Sequence, residues 1–211
     1  MSNVEIICEN LSKSFSGKQV FKDLSFKISN TQSLSVTGKN GSGKSTLIKI
    51  LSNLILPSNG KILLQQNGMP LEKEKWFHKI GLLSPYINLY DELTGFENLN
   101  FFYKLKSSDE KNIPEKINFL LQKTGLYDNR NELVRNYSSG MKQKLKIAFA
   151  IMKEPEILIM DEPRTNLDST GLELIYEVSN KQKEKGILII ATNEESDNNI
   201  CDISINIEDY K

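Results

Sequence analysis

Cysteine is scarce in this chain. The only two, Cys8 and Cys201, stand far apart with no C-x-x-C spacing, which fits a reducing compartment rather than a disulfide scaffold. Net charge is absent as well. Basic and acidic residues number 27 each, so no field suggests nucleic acid or an anionic membrane surface as partner. No apolar run approaches the roughly 18–20 residues that a membrane-crossing helix needs. The opening MSNVEIICENLSK has no basic stretch leading into an apolar one, so no signal peptide is expected. Internal repeats and low-complexity tracts are missing too. What remains is a chain of 211 residues, expected to be soluble and cytoplasmic, with enough length for one sizeable domain or one domain with an inserted lobe.

What is present is an alternation of short β-rich and helical segments. VEIIC (4–8) and QVFKDLSFKI (19–28) predict strands separated by the turn-prone SFSGK. SLSVTG (33–38) predicts a strand entering a glycine-rich turn. The following KSTLIKILSNLI places Leu47, Ile50, Leu51, Leu54 and Ile55 on one helical face, closed by Pro57 and Gly60. Helical periodicity dominates GFENLNFFYKL (95–105), PEKINFLLQKTG (114–125) and MKQKLKIAFAIMK (141–153), the first two joined by the charged linker KSSDEKN. In the third, Leu145, Ala148, Phe149 and Met152 share a face, with Lys142 and Lys146 largely away from it. Strand EILIMD (156–161), a helix through LELIYEVSNKQKEK ended by Gly186, and strand ILIIAT complete the chain. The pattern predicts an α/β domain with parallel strands, interrupted by a helical insertion.

Residues 38–46, Gly38-Lys39-Asn40-Gly41-Ser42-Gly43-Lys44-Ser45-Thr46, match the phosphate-loop pattern G-x-x-x-x-G-K-[ST] in full, between a predicted strand and a predicted helix. Glycines let successive backbone N–H groups turn inward as an anion nest, and the helix adds its positive N-terminal end. Lys44 can reach β- and γ-phosphates, and the Ser45 hydroxyl can ligate Mg²⁺. The apolar strand ILIMDEP ends on Asp161 and Glu162, where ligands bind in open α/β sheets. Asp161 is the candidate for the metal shell and Glu162 for orienting or deprotonating water. A DE pair after a strand is by itself an ordinary loop start; the phosphate loop upstream gives it meaning. The expected ligands are a nucleoside triphosphate and Mg²⁺.

YSSGMKQKLKIAFAIMKEPEILIMDEP resembles the signature segment of the ATP-binding-cassette (ABC) ATPases, whose core reads LSGGQ before a helix and an Asp-Glu strand. Tyr137-Ser138-Ser139-Gly140-Met141 keeps only the serine and the second glycine. In family order, TNLD (165–168) resembles the D-loop, Phe15 stands where an aromatic stacks on adenine, and IGLLSPYINLYDELTGFENL (80–99) resembles the Q-loop and the start of the helical subdomain. The resemblance covers nearly the whole chain. It implies a P-loop NTPase fold with an antiparallel N-terminal β subdomain, a nucleotide-binding core of residues 1–85 and 154–211, and a helical subdomain of about 86–153. It further implies a head-to-tail homodimer in which Ser138 and Gly140 contact the γ-phosphate held by the other copy's Lys44 loop. A separate transmembrane permease subunit would dock on the helical subdomain, where Tyr86, Tyr90, Phe96, Phe101 and Phe102 form an aromatic-rich segment that ordinary core packing also explains. The chain would then be peripheral on the inner face of the membrane.

Two family positions depart from the pattern. Pro85 stands where a glutamine normally contacts Mg²⁺ and water, and proline offers no side-chain ligand and no N–H. In ILIIATNEES, Asn193 takes the place of the switch histidine; the one histidine, His78, lies elsewhere. An asparagine amide can donate to a phosphate oxygen but does not titrate near neutrality. With Glu162 as base and Asn193 as its companion, hydrolysis is expected to survive, slowed. The implied function is the ATP-hydrolysing subunit of a transporter, an exporter in the first instance. The short cassette and the glutamine-free loop look similar to haem-exporter-like, cytochrome c maturation subunits. A soluble ABC ATPase of translation or DNA repair, and a regulator that binds ATP and scarcely turns it over, stand as alternatives.

Overall fold

The computed structural model describes residues 3–106 and 111–211; of the charged linker KSSDEKN, residues 107–110 lie outside the described residues. The chain opens with a long hairpin, β1 (Val4–Phe15) and β2 (Lys18–Ser29). Its two-residue loop puts Ser16 at φ 48° and Gly17 at φ 80°, the positive values that let a tight turn match strand twist. The strands are longer than VEIIC alone predicts, and they pair antiparallel with Phe15 opposite Lys18.

No element is predicted above for residues 59–79, and 80–83 are read only as part of the loop segment; the structure has four elements there. They are β4 (Asn59–Gln66), β5 (Met69–Pro70), α2 (Lys73–Lys79) and β6 (Ile80–Leu83). The signal is in the sequence: Ile62 and Leu64 alternate inward, and Asn67-Gly68 is a hairpin turn with both residues at positive φ. Together β2-β1-β4-β5 form the antiparallel sheet. His78 is exposed on α2, against Phe77.

The second sheet is parallel, in the order β6-β7-β8-β3-β9, with β3 (Ser33–Thr37), β7 (Ile157–Asp161), β8 (Ile187–Ala191) and β9 (Ile203–Asn206). SLSVT, ILIMD and ILIIA are buried along almost their whole length, as strands covered on both faces must be. Register is what matters for the site. Ala191 lies opposite both Asp161 and Val36, so the chain leaves β3, β7 and β8 at one level of one edge.

Helix α1 (Lys44–Leu51) ends earlier than the apolar spacing predicts. Asn53 takes φ 59°, Leu54 is 57% exposed, and Ile55 packs on the core from a loop. The backbone at Asn53 leaves the helical region, so Leu54 and Ile55 do not extend the face of Leu47, Ile50 and Leu51. Helix α6 (Ser169–Lys185) covers the sheet, and the short α7 (Glu195–Asn198) follows β8.

Helices α3 (Gly95–Lys106), α4 (Ile113–Lys123) and α5 (Ser139–Ile151) bury Leu99, Ile117, Leu121 and Leu145 in a core of their own. A reciprocal cap opens α3: Thr94 N–H donates to Glu97, and Glu97 N–H donates to the Thr94 hydroxyl. The helical lobe seats on the sheet through Gly81 of β6. A Cβ there would lie 2.1 Å from the Ala150 carbonyl oxygen and 2.6 Å from Pro155 Cγ. Gly81→Ala is therefore expected to cost about 1–3 kcal/mol by overpacking, lowering Tm by roughly 2–12 °C in a domain of this size. A thermal melt unchanged from the parent would show that α5 is free to move off β6.

Candidate functional site

Between β3 and α1 the loop 38–43 wraps through positive φ at Gly38 (135°), Gly41 (77°) and Gly43 (118°). Two of these glycines are also required by space. A Cβ on Gly38 would lie 2.8 Å from the Ser42 Oγ, and one on Gly43 would lie 2.6 Å from Val20 of β2. The hairpin tip that carries Phe15 therefore abuts the loop. Phe15 is 51% exposed, with Lys13 Nζ 4.7 Å from its ring centroid. The first amide bonded back inside α1 is that of Leu47, to the Gly43 carbonyl. The N–H groups of Lys44, Ser45 and Thr46 precede it and face the helix N-terminus. The Ser42 hydroxyl, also buried, has no hydrogen-bond partner among the described residues.

Lys44 brings three loops to one point. Its side chain is 6% exposed, and Nζ donates to the Gly38 carbonyl at 2.7 Å and to Asn193 Oδ1 at 2.7 Å, with Glu162 Oε1 at 3.6 Å. Asn193 Nδ2 donates to Asn40 Oδ1 at 2.5 Å. The structure thus joins Lys44, Glu162 and Asn193, residues far apart in sequence. Glu162 sits just past β7 with φ 49°, uncommon for a side chain of its size, and its N–H is tied to the Ala191 carbonyl at 2.9 Å. Burial raises the Glu162 carboxyl above the usual range; Lys44 opposes the rise and Asp161 adds to it. A carboxylate raised in this way accepts a proton more readily near neutrality, the property a general base needs.

Asp161 is 1% exposed, and among the described residues neither carboxylate oxygen has a hydrogen-bond partner. Burial pushes its carboxyl upward, while the Ser45 and Tyr86 hydroxyls beside it and the Lys44 and Lys49 charges pull downward without cancelling the shift. A buried acidic side chain with orphaned oxygens beside a serine hydroxyl fits a hard divalent cation such as Mg²⁺. Ser45 and Asp161 are the residues that would hold it.

Ser138 and Gly140 lie apart from this junction. They line a cavity of about 330 Å³ with Met141, Lys144, Asn166 and Asp168, and none of the phosphate-loop residues borders it. Ser138 caps α5 by accepting from Met141 N–H at 3.2 Å. Gly140 backs onto Asn166, whose carbonyl oxygen would lie 2.9 Å from an added Cβ. Asp168 caps α6 through Gly171 N–H, which holds its carboxyl down to about 2.

Three residues of the site are not singled out by the sequence. Arg164, in the loop after Glu162, pairs with Asp197, which is fully buried and accepts from Thr192 Oγ1 at 3.0 Å. That chain ties the Glu162 loop to the Asn193 loop. No spacing rule announces it, because the partners meet only when β7 and β8 lie side by side. The aromatic segment also divides. Phe96 and Phe102 pack on the helical core, and Tyr90 and Phe101 are exposed together with centroids 5.2 Å apart. Tyr86 turns instead toward α1, with Lys49 Nζ 3.7 Å from its ring centroid.

A glycine-lined loop at a helix N-terminus, an Asp-Glu strand end and an inserted helical lobe define an ATP-binding-cassette ATPase domain. Residues 21–165 match the ABC transporter family model, and the chain belongs to that family. It is 34% identical over 204 residues to the Nod factor export ATP-binding protein I of Rhizobium leguminosarum bv. viciae, covering 96% of this chain and 66% of that protein. It is 33% identical over 192 residues to the spermidine/putrescine import ATP-binding protein PotA of Fusobacterium nucleatum, covering 90% and 50%. A solved ATP-binding subunit of an ABC transporter superposes with a TM-score of 0.85 at 28% identity, covering 96% of this chain and 86% of that one. The chain spans about half to two thirds of the length of these curated relatives.

A carboxyl whose folded-state pKa is raised holds its proton more tightly folded than unfolded, so stability falls as pH rises through that range. For Asp161 the charged form is the costly one when no cation is bound. Asp161→Asn is expected to raise the Tm of the nucleotide-free, metal-free protein at neutral pH, by about 2–4 °C if the relief is about 1 kcal/mol. The gain should shrink in acid, where Asp161 takes up its proton. A Tm difference that grows toward acid pH would reverse the assignment.

Proposed function

We propose that this chain binds ATP with Mg²⁺, hydrolyses it, and powers a membrane transporter whose spanning subunit is a separate protein. The observation that carries this reading is the meeting of Lys44, Glu162 and Asn193 beside the orphaned carboxylate of Asp161. A lysine with so little exposure would not ordinarily be set among a carbonyl, an amide oxygen and a carboxylate for stability alone. Those acceptors hold its charge in place for a polyanion. The loop 38–46 cradles the phosphates through its amides and Lys44, and Phe15 offers an exposed ring to the base. Ser45 and Asp161 hold the metal, which supplies charge neutralisation at the phosphates. Glu162 receives the proton of the attacking water. Asn193 donates to the γ-phosphate once its amide leaves Asn40.

Ser138 and Gly140, at their separate cavity, serve the ATP of a second copy in a head-to-tail dimer. Residues 1–85 and 154–211 act as the nucleotide core and about 86–153 as the helical subdomain that meets the permease. Tyr90 and Phe101 are the exposed aromatics suited to that contact. Among the described residues no helix is long and apolar enough to cross a membrane, and a peripheral position on the cytoplasmic face goes with the separate spanning subunit. Export is favoured by the export relative, which covers more of the chain than the import one. The narrower haem-exporter reading rests only on the glutamine-free loop at Pro85. A second reading, an ATP-binding regulator with little turnover, draws on Pro85 and Asn193.

ATP binding and hydrolysis by the parent, Lys44→Ala and Glu162→Gln separate these readings. Glu162→Gln is expected to keep ATP affinity and lose about 10²–10⁴-fold in turnover, and Lys44→Ala to lose ATP binding. A parent that binds ATP yet turns over no faster than Glu162→Gln is the regulator. A parent that binds no ATP ends both readings.

A further inference from the structure

Proline at position 85 brings no polar side chain to the metal side of the site. The residue after it is a tyrosine. Tyr86 follows β6 in a turn fixed at three points. Its own N–H donates to the Ser84 hydroxyl at 3.1 Å, Ile87 N–H donates to the Ser84 carbonyl at 3.2 Å, and Lys146 of α5 reaches the Pro85 carbonyl at 3.4 Å. The ring is clamped in turn, with Lys49 Nζ 3.7 Å from its centroid. Ser45 and Lys49 are four residues apart on α1 and so share one helix face. Leu83 of β6 lies opposite Met160 of β7, so the turn carrying Tyr86 leaves the sheet beside Asp161, and the ring over Lys49 sits on the α1 face that carries Ser45. Among the described residues neither Asp161 oxygen has a hydrogen-bond partner, so the carboxylate keeps its lone pairs for a cation.

We propose that Tyr86 is a positioning residue of the metal site, its hydroxyl ordering the coordination shell that Ser45 and Asp161 begin. The inference rests on the ATP- and Mg²⁺-binding reading above. It makes a proline-tyrosine pair an alternative to a loop glutamine: proline fixes the backbone, and the longer aromatic side chain spans the distance. It also gives the loop a mechanical consequence. Lys146 ties Pro85 to α5, the helix that Ser138 caps, so the residue ordering the metal is physically joined to the element that serves the second copy.

Mn²⁺ in place of Mg²⁺ provides a test by electron paramagnetic resonance, which counts free and bound ion without any turnover. The comparison is parent against Tyr86→Phe, each saturated with a non-hydrolysable ATP analogue; phenylalanine keeps the ring over Lys49 and removes only the hydroxyl. Tyr86→Phe is expected to weaken Mn²⁺ by about tenfold, the usual cost of losing a supporting partner of a metal site. Metal-free analogue binding should stay at the parent level, and Tyr86→Gln should recover most of the Mn²⁺ affinity. Equal Mn²⁺ affinity in parent and Tyr86→Phe would overturn the proposal and leave the ATP-binding reading intact. Failure of the parent itself to bind the analogue would instead remove the reading on which the proposal stands.

Discussion

A single buried ammonium organises this molecule. Lys44 Nζ is held by the Gly38 carbonyl, the Asn193 amide oxygen and the Glu162 carboxylate, and these come from the loops that leave three adjacent parallel strands. Taking a lysine out of water is costly unless its charge is met on several sides. The acceptors are there because the register sets Val36, Ala191 and Asp161 in one row. A slip of one residue in β8 would turn its side chains to the opposite face and carry Asn193 away from Lys44. Site and sheet register are thus one constraint.

Around this point the structure adds ties that make the loops move together. Arg164 and Asp197 join the loop after Glu162 to the segment after β8, and Gln143 of α5 donates to the Pro163 carbonyl at 3.0 Å. Lys146 of the same helix reaches Pro85. Helix α5 therefore touches the loop of the proposed base and the loop beside the metal residues, while its own N-terminus opens a different cavity. An element with contacts to two parts of one site and to a second cavity can pass a change at either to the other.

Much of this was legible in the amino acids. The glycine spacing before Lys44 names an anion loop because only glycine takes those φ values and tolerates those contacts. ILIMD and ILIIA read as buried strands, and Asp161 and Glu162 as their exit. The length of α1 was not legible: Leu54 and Ile55 continue the apolar spacing, yet Asn53 turns the backbone and leaves Leu54 in solvent. β4 went unassigned although Asn67-Gly68 marks its hairpin, since a weak alternation of four residues competes poorly with a stronger motif nearby. The aromatic residues from Tyr86 to Phe102 do not act together. The backbone turns at Ser84 and sends Tyr86 one way and Tyr90 another, which no periodicity encodes.

The sequence by itself determined the chemistry on offer: a phosphate loop, two carboxylates at a strand end, an asparagine after the next strand, and no long apolar run. These follow from local rules, in which neighbours along the chain fix the backbone or the face of an element. Only the tertiary structure decided which of these groups meet. Lys44 and Asn193 are separated by 149 positions and bonded at 2.7 Å; Arg164 finds Asp197, and Tyr86 finds Lys49, across other unrelated stretches. Such meetings depend on strand order and register, and those are set by how whole faces bury apolar surface, not by any residue's neighbours in sequence.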